Sequence, residues 1–325
     1  MTNTVRGKSV PLYLGPQIDF SSAAVADSYH NSYMYSLTPG GGQSFENDAI
    51  LGGDFHNDRD MTQPAPGLAE SSVSLVAPMC LNHLGYILEG AFGAPTFTAG
   101  TPNVRTYTSG GGTLPAQTLA YLLKAGDGRR LTGFTVGKIG FNIGRQGGFG
   151  RVSVEGAARK YERMSDLALG TIPTALPLTR IPAYRGILRV DGIAEATLIT
   201  ASPSYDNGLD LVDFATDDQY LGGIEPGDGK YSCPITVRYK NSYFADKAAE
   251  AFDDTGFFPV EQEWQGKNGN KLVFTAPRCR VAPASEPITG PGGIQVSYDL
   301  VAEQSATAPA LTVALHNTVA DGGYL

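Results

Sequence analysis

The side chains of this 325-residue chain that could do chemistry are four histidines, three cysteines and one dense run of carboxylates. His30, His56, His83 and His316 include no two that are near in sequence. His56-Asn57-Asp58-Arg59-Asp60 offers an imidazole and two carboxylates, donors that a divalent metal accepts. Such polar strings are also ordinary loop composition, so no metal is assigned. His83 borders an apolar helical face and reads as a hydrogen-bonded structural residue. Cys80, Cys233 and Cys279 are odd in number and far apart, which excludes a disulfide framework and a zinc pattern and leaves free buried thiols. Asp206, Asp210, Asp213, Asp217 and Asp218 lack the alternating ligands and closing Glu of a calcium loop. They read as a solvated acidic loop, or as an acidic surface that repels a polyanion or pairs with a basic neighbour. Gly133-Phe134-Thr135-Val136-Gly137-Lys138-Ile139 has the wrong spacing for a phosphate loop, and Gly40-Gly41-Gly42 has no lysine after it. The nucleophile elbow Gly-x-Ser-x-Gly is absent. The expectation is a protein that is not an enzyme and needs no cofactor.

The elements that position these residues are mostly strands. Charged residues make up 17% of the chain, Gly numbers 41, and Tyr and Phe number 16 and 14. Many turns, many aromatics and few charges point to a mainly β protein. Segments 151–155, 234–239, 294–300 and 311–315 alternate between apolar and polar residues, as strands with one buried and one wet face do. In 134–143 the alternation changes phase at Gly137, where a β-bulge is expected. Two helices are expected, one from Pro78 to before Gly93 and one capped by Asn241 or Ser242 and stopped by Gly256. Thr38–Glu70 and Tyr205–Lys230 read as long loops, a length usually tied to function or partner binding.

The same order of features occurs twice. Leu51-Gly52-Gly53 and Leu221-Gly222-Gly223 each precede a polar stretch, an alternating strand, an amphipathic helix and a stop glycine. The helical faces Cys80, Leu84, Ile87, Leu88 and Phe244, Ala248, Ala251, Phe252 have identical spacing. An internal duplication is expected, with domains at 1–178 and 179–325. The Pro-containing segment Ser165–Ala183 between them reads as an ordered, extended connector.

Net charge is −8. Residues 1–180 carry 14 basic and 13 acidic side chains, and residues 181–325 carry 10 and 19. Tight nucleic-acid binding needs clustered Lys and Arg, which this balance does not provide. The basic run from Arg145 to Arg163 is broken by Glu155 and Glu162 and reads as solvated strand faces. The N-terminus lacks a signal-peptide core, and no apolar run approaches about 18 residues, so no membrane insertion is expected.

Several patterns together resemble the tail tube proteins of long-tailed, siphovirus-type bacteriophages. They are the strand Leu119–Ala125 through Gly126-Asp127-Gly128 into Phe134–Ile143, then Gly150–Gly156 and Ala157-Ala158-Arg159. Further matches are Ile187–Gly192, Ser204–Leu209, Leu272–Pro277, Ile294–Ala302 and Leu311–Asn317. The resemblance implies two tandem β-sandwich or rolled-barrel domains, each flanked by one helix. It implies a virion structural protein, assembled in the host bacterial cytoplasm into stacked rings that form a hollow tail. Double-stranded DNA would pass through without tight binding, and other tail proteins would be partners. Many relatives form six-fold rings of single domains, so two-domain chains would form a three-fold ring with pseudo-six-fold symmetry, or a hexamer. On this reading Asp206, Asp210, Asp213, Asp217 and Asp218 line the lumen or contact the next ring. The alternative is another β-rich virion or surface protein, such as a tail tip, adhesin or glycan-binding module. Trp264, the only Trp, is then either a packed or interface aromatic or a platform for a sugar.

Overall fold

Strands with one apolar side need a covering layer on that side only, and the chain meets this need with antiparallel sheets that continue from one half into the other. The computed structural model describes residues 6–47, 63–145, 147–212, 218–251, 255–288 and 291–324. The first half contains β1 (Leu12–Pro16), β2 (His30–Ser32), β3 (Ser36–Glu46), β4 (Ala65–Pro78), α1 (Leu84–Phe92), β5 (Thr96–Thr98), β6 (Asn103–Thr108), β7 (Gln117–Lys124), β8 (Asp127–Gly140), β9 (Ile143–Gly144), β10 (Arg151–Ala158) and β11 (Lys160–Met164). The second contains β12 (Gly186–Val190), β13 (Ile193–Ala194), β14 (Leu198–Ala201), β15 (Ser204–Asp206), β16 (Asp210–Val212), β17 (Gly223–Glu225), β18 (Lys230–Arg238), α2 (Tyr243–Glu250), β19 (Phe258–Gln265), β20 (Lys271–Val281), β21 (Gln295–Ala302) and β22 (Thr312–Asn317). The fold is mainly β, as expected.

In the first half, pairing runs β2–β1–β7–β8–β10–β4–β3. In the second it runs β13–β12–β19–β20–β21–β18, with β14 and β15 together on the outer side of β18. Helices α1 and α2 follow β4 and β18. The long strand β8 serves two layers. Its first part pairs with β7, and its end pairs with β10 on one side and β15 on the other. Between Lys138 and Val136 the ladder to β10 skips Gly137, the expected bulge. A Cβ at Gly137 would stand 3.1 Å from Leu209 Cδ1, so glycine also makes room for the second half.

Alternation in β4, β10, β18 and β21 turns one face inward. Val73, Leu75, Val152, Val154, Cys233, Ile235, Val296 and Leu300 are buried there in one core cluster that spans both halves. Trp264 is 1% exposed in that core, against Phe141 and Phe274, and its indole N–H donates to the Asn142 carbonyl at 3.2 Å.

Three expectations differ from the structure. Pro78 ends β4 instead of starting a helix, and α1 begins six residues later at Leu84. Gly93 does stop α1, with φ 84° and its N–H on Glu89. Much of Thr38–Glu70 is the β3–β4 hairpin and not loop; its glycines, Pro39 and exposed side chains disguise an edge strand. Tyr205–Lys230 contains β15 and the small β16–β17 hairpin. Leu51-Gly52-Gly53, His56, Asp58, Asp60, Asp213, Asp217 and Phe252 lie outside the described residues. The connector 165–182 has no helix or strand of its own. Cys80, Asn82 and His83 hold it in place, the last two through contacts to the Pro177 carbonyl at 3.0 Å and the Leu176 carbonyl at 2.8 Å.

Candidate functional site: the polar face of the joined sheet

The wet side of each alternating strand is short and polar, and the ladders set these sides in rows. One row, read across the sheet by direct cross-strand partners, is Thr38, Ser74, Glu155, Lys138, Asp206 and Lys230. Ser232 faces Val301 across β18 and β21, so continuing that register by two residues sets Lys230 opposite Glu303. Glu303 in turn meets Arg278 and Arg280, the latter at 2.9 Å. The row therefore carries Glu155, Lys138, Asp206, Lys230, Glu303 and Arg278, in strict alternation of sign. Opposite charges on directly facing strands stabilise a pair, and like charges would destabilise it. The neighbouring row is mostly uncharged: Ser36, Val76, Ser153, Gly140, Ser204 and Ser232. Hydroxyls on this face bond to neighbouring side chains, as Thr236 to the Ser297 hydroxyl at 3.1 Å and Ser232 to the Asp299 carboxylate at 2.9 Å.

The two halves meet at β8–β15 and at β9–β14, where Ser204–Asp206 and Thr200–Ala201 lie beside Lys138–Gly140 and Ile143–Gly144. Asn207 seals this seam. Its backbone N–H donates to the Gly137 carbonyl at 2.7 Å. Its side-chain amide donates to the Ala91 carbonyl of α1 at 3.0 Å and to the Val136 carbonyl at 2.9 Å. A second seam joins β6 to β22, and there the buried Arg105 guanidinium donates to the carbonyls of Val319 and Ala320.

The acidic residues do not assemble into one site. Asp206 sits in the charge row between Lys138 and Lys230. Asp210 begins the exposed β16 strand. Asp218 pairs with Arg159 at 2.6 Å, and the next-but-one ring, Tyr220, lies under Arg159 and Lys160. Among the described residues no group of three or more His, Cys, Asp or Glu side chains could hold a metal. Trp264 makes its contacts inside the chain and presents no surface for a sugar. Three of the five cations in the basic run are paired: Arg159 with Asp218, Lys160 with Glu162, and Arg163 with Asp127. Hydrogen bonds from Arg129, then Arg163, hold the Asp127 carboxyl below its usual range. Glu89 on α1 behaves in the opposite way: burial raises its carboxyl to about 7, only partly countered by Arg105.

The charge row escaped sequence reasoning. Each strand showed its own alternation, but the cross-strand register that lines up Glu155, Lys138 and Asp206 is not written in any one segment.

The sequence model for phage tail tube proteins matches residues 7–302, and the chain belongs to that family. It is thus a structural protein of the virion tail. No curated protein matches the chain.

Proposed function

We propose that the chain is the repeating subunit of rings that stack into a hollow tail tube, and that the polar face of the joined sheet lines the channel through which DNA leaves. One observation carries this reading: eight strands, β3–β4–β10–β8–β15–β18–β21–β20, form one sheet across both halves, four from each, with one face dry and the other wet. The like order of pairing in the halves supports a tandem duplication with its boundary near residue 178. Six such halves, the number implied by six-fold relatives, would come from three chains and give a barrel of about 24 strands.

The stagger can be worked out. Pro78 and Arg238 end the equivalent strands β4 and β18, so Ser74 corresponds to Pro234. The charge row leaving Ser74 reaches Lys230, four residues from that position. About four residues of shear per four strands is the ratio of a shear-8, eight-stranded barrel, whose strands tilt about 36°. At about 4.8 Å between strands, the backbone circumference is roughly 140 Å and the backbone diameter about 45 Å. Side chains reduce this to roughly 35 Å, enough for a duplex about 20 Å wide. A channel wall with alternating charges has no basic stripe to release counterions, so DNA slides over it without tight binding. The β16–β17 hairpin with Asp210 forms a small sheet of its own, apart from the large one, and suits contact with the next ring or other tail proteins.

Negative-stain imaging of the purified full chain tests this. Rings or rods with a stain-filled hole of roughly 35–45 Å are expected. Protein that stays monomeric at high concentration, even when seeded with tail tubes, would refute it.

A further inference from the structure

The seam between the halves is a template for a second seam that the single chain cannot make. We infer that the end of β3 of one copy, with Gln43 and Phe45, seats in a groove beside α2 of the next copy; this rests on the ring reading above. The register of β3 on β4 pairs Gly40 with Ser72, and that of β15 on β18 pairs Ser204 with Ser232. Since β4 and β18 correspond at their ends, Gly40 corresponds to Ser204, Pro39 to Pro203, Gln43 to Asn207 and Phe45 to Leu209. In the same way β10 corresponds to β21, both eight residues long. Lys138 pairs with Glu155 in the first half. Extending the Val281–Leu300 pair by one residue sets Ala282 opposite Asp299, the counterpart of Glu155. Ala282, Pro283 and Ala284 thus correspond to Lys138, Ile139 and Gly140.

In the first half the place beside Lys138–Gly140 is taken by β15, and the hollow between α1 and Gly137 is filled by Asn207 and Leu209. In the second half the corresponding segment, Ala282–Ile288, carries no strand pairing among the described residues and is mostly exposed. Beside it lies a groove of about 280 Å³ lined by Ala248, Ala251, Arg280, Val281, Ala282 and Pro283, among others. At the other end of the sheet, β3 pairs only with β4 among the described residues, and Phe45 is 72% exposed. A groove that the described residues leave unfilled and an exposed phenyl ring therefore occupy the two positions that are joined as socket and plug inside the chain.

The chemistry matches position by position. Asn207 and Gln43 are both primary amides, so the Gln43 amide, which now donates to Gln219 of its own chain, would donate to the carbonyls of Ala251 and Val281, the counterpart of Val136. Leu209 and Phe45 are both apolar. Phe141 donates its N–H to the Pro203 carbonyl at 2.9 Å, and Ser285 would do the same to Pro39. Pro283 and Pro287 have no N–H, so this edge accepts few foreign strands, a common guard against unspecific pairing. A head-to-tail contact of this kind uses different surfaces on its two sides and closes a ring when its rotation allows.

The test is a designed cross-link in the full chain. In the inferred register Gly42 faces Ala282 as a non-hydrogen-bonded pair, whose Cα atoms lie about 4.5 Å apart, within disulfide reach. A Cβ at Gly42 meets nothing within 4 Å. Gly42→Cys with Ala282→Cys should give covalent oligomers that end at a closed trimer on oxidation. Gly42→Cys with Ala284→Cys, two residues out of register, should cross-link far less. Phe45→Ala should raise the concentration needed for assembly by about tenfold or more, the consequence of losing one buried phenyl ring, whereas Ile18→Ala, at a residue 89% exposed elsewhere, should not. Rings that form without the cross-link, or with both pairs cross-linking equally, would overturn the inferred joint and leave the ring reading standing. Absence of both rings and cross-links would overturn both.

Discussion

Asn207→Ala should loosen the seam between the halves more than any surface change. The side chain is 5% exposed, and its amide is the donor to two carbonyls, Ala91 at the end of α1 and Val136 beside the β8 bulge. Each carbonyl that loses its donor in a buried place costs about 1–3 kcal/mol. Water reaching one of them would lower the sum, so a loss of about 2–4 kcal/mol is expected. At about 2–4 °C per kcal/mol for chains of this order of size, the melting temperature should fall by roughly 5–10 °C. Urea unfolding and calorimetry of the full chain would measure it. Asn207→Asp sharpens the test, because at neutral pH it brings carboxylate oxygens against the same two carbonyl oxygens. It should be less stable than the alanine variant at pH 8. Its folded-state pKa is raised above the usual value of about 3.9, so stability should return as pH falls and the carboxyl regains a proton to donate. A cost for Asn207→Ala below about 0.5 kcal/mol, or an Asp variant whose pH profile follows that of Ala, would refute the role given to this amide.

Glu89→Gln should change the pH dependence of stability. The native carboxyl holds its proton up to about 7, against 4.5 for the free group, so the wild type loses stability as pH rises between these values. The variant should be about 1–2 kcal/mol more stable than wild type at pH 8 and nearly equal to it at pH 4, by denaturant titration at both. Gly85→Ala should displace the C-terminal Tyr324, because the new Cβ would stand 2.2 Å from that ring. The displaced hydroxyl gives up its bonds to Asn317 and Asn82, so a cost of about 1–3 kcal/mol is expected, together with faster C-terminal proteolysis. Tyr324→Ala in the same chain should remove most of the added effect of Gly85→Ala. Glu155→Lys with Asp206→Lys turns the balanced row basic, so assembled protein should retain duplex DNA at low salt and release it as salt rises. Lack of retention by assembled variant at low salt would separate this face from the channel.

Much of the molecule could be read from single segments. Strands β10, β18, β21 and β22 alternate because one face of each is buried and the other wet, and that pattern survives in the sequence whatever the neighbours are. The phase change at Gly137 announced the bulge for the same local reason. α1 and its stop at Gly93 were legible from an apolar stripe and a residue free to adopt φ 84°. β3 was not, because an edge strand with Pro39 and three glycines buries little and pairs on one side only. Pro78 was misplaced because a proline is tolerated at a strand end as well as at a helix start.

The amino-acid sequence alone determined that this chain is mainly β, and that it is nearly balanced in charge in its first part and acidic in its second. Those properties follow from composition and short-range periodicity. Only the tertiary structure decided that Glu155, Lys138, Asp206 and Lys230 share one row, that Asn207 closes a seam against α1, and that Phe45 is exposed at one end of a sheet while a groove lies beside α2 at the other. Cross-strand register is set by distant partners and by the packing of one half on the other, so residues as far apart as 74 and 230 acquire a common surface only when the chain folds.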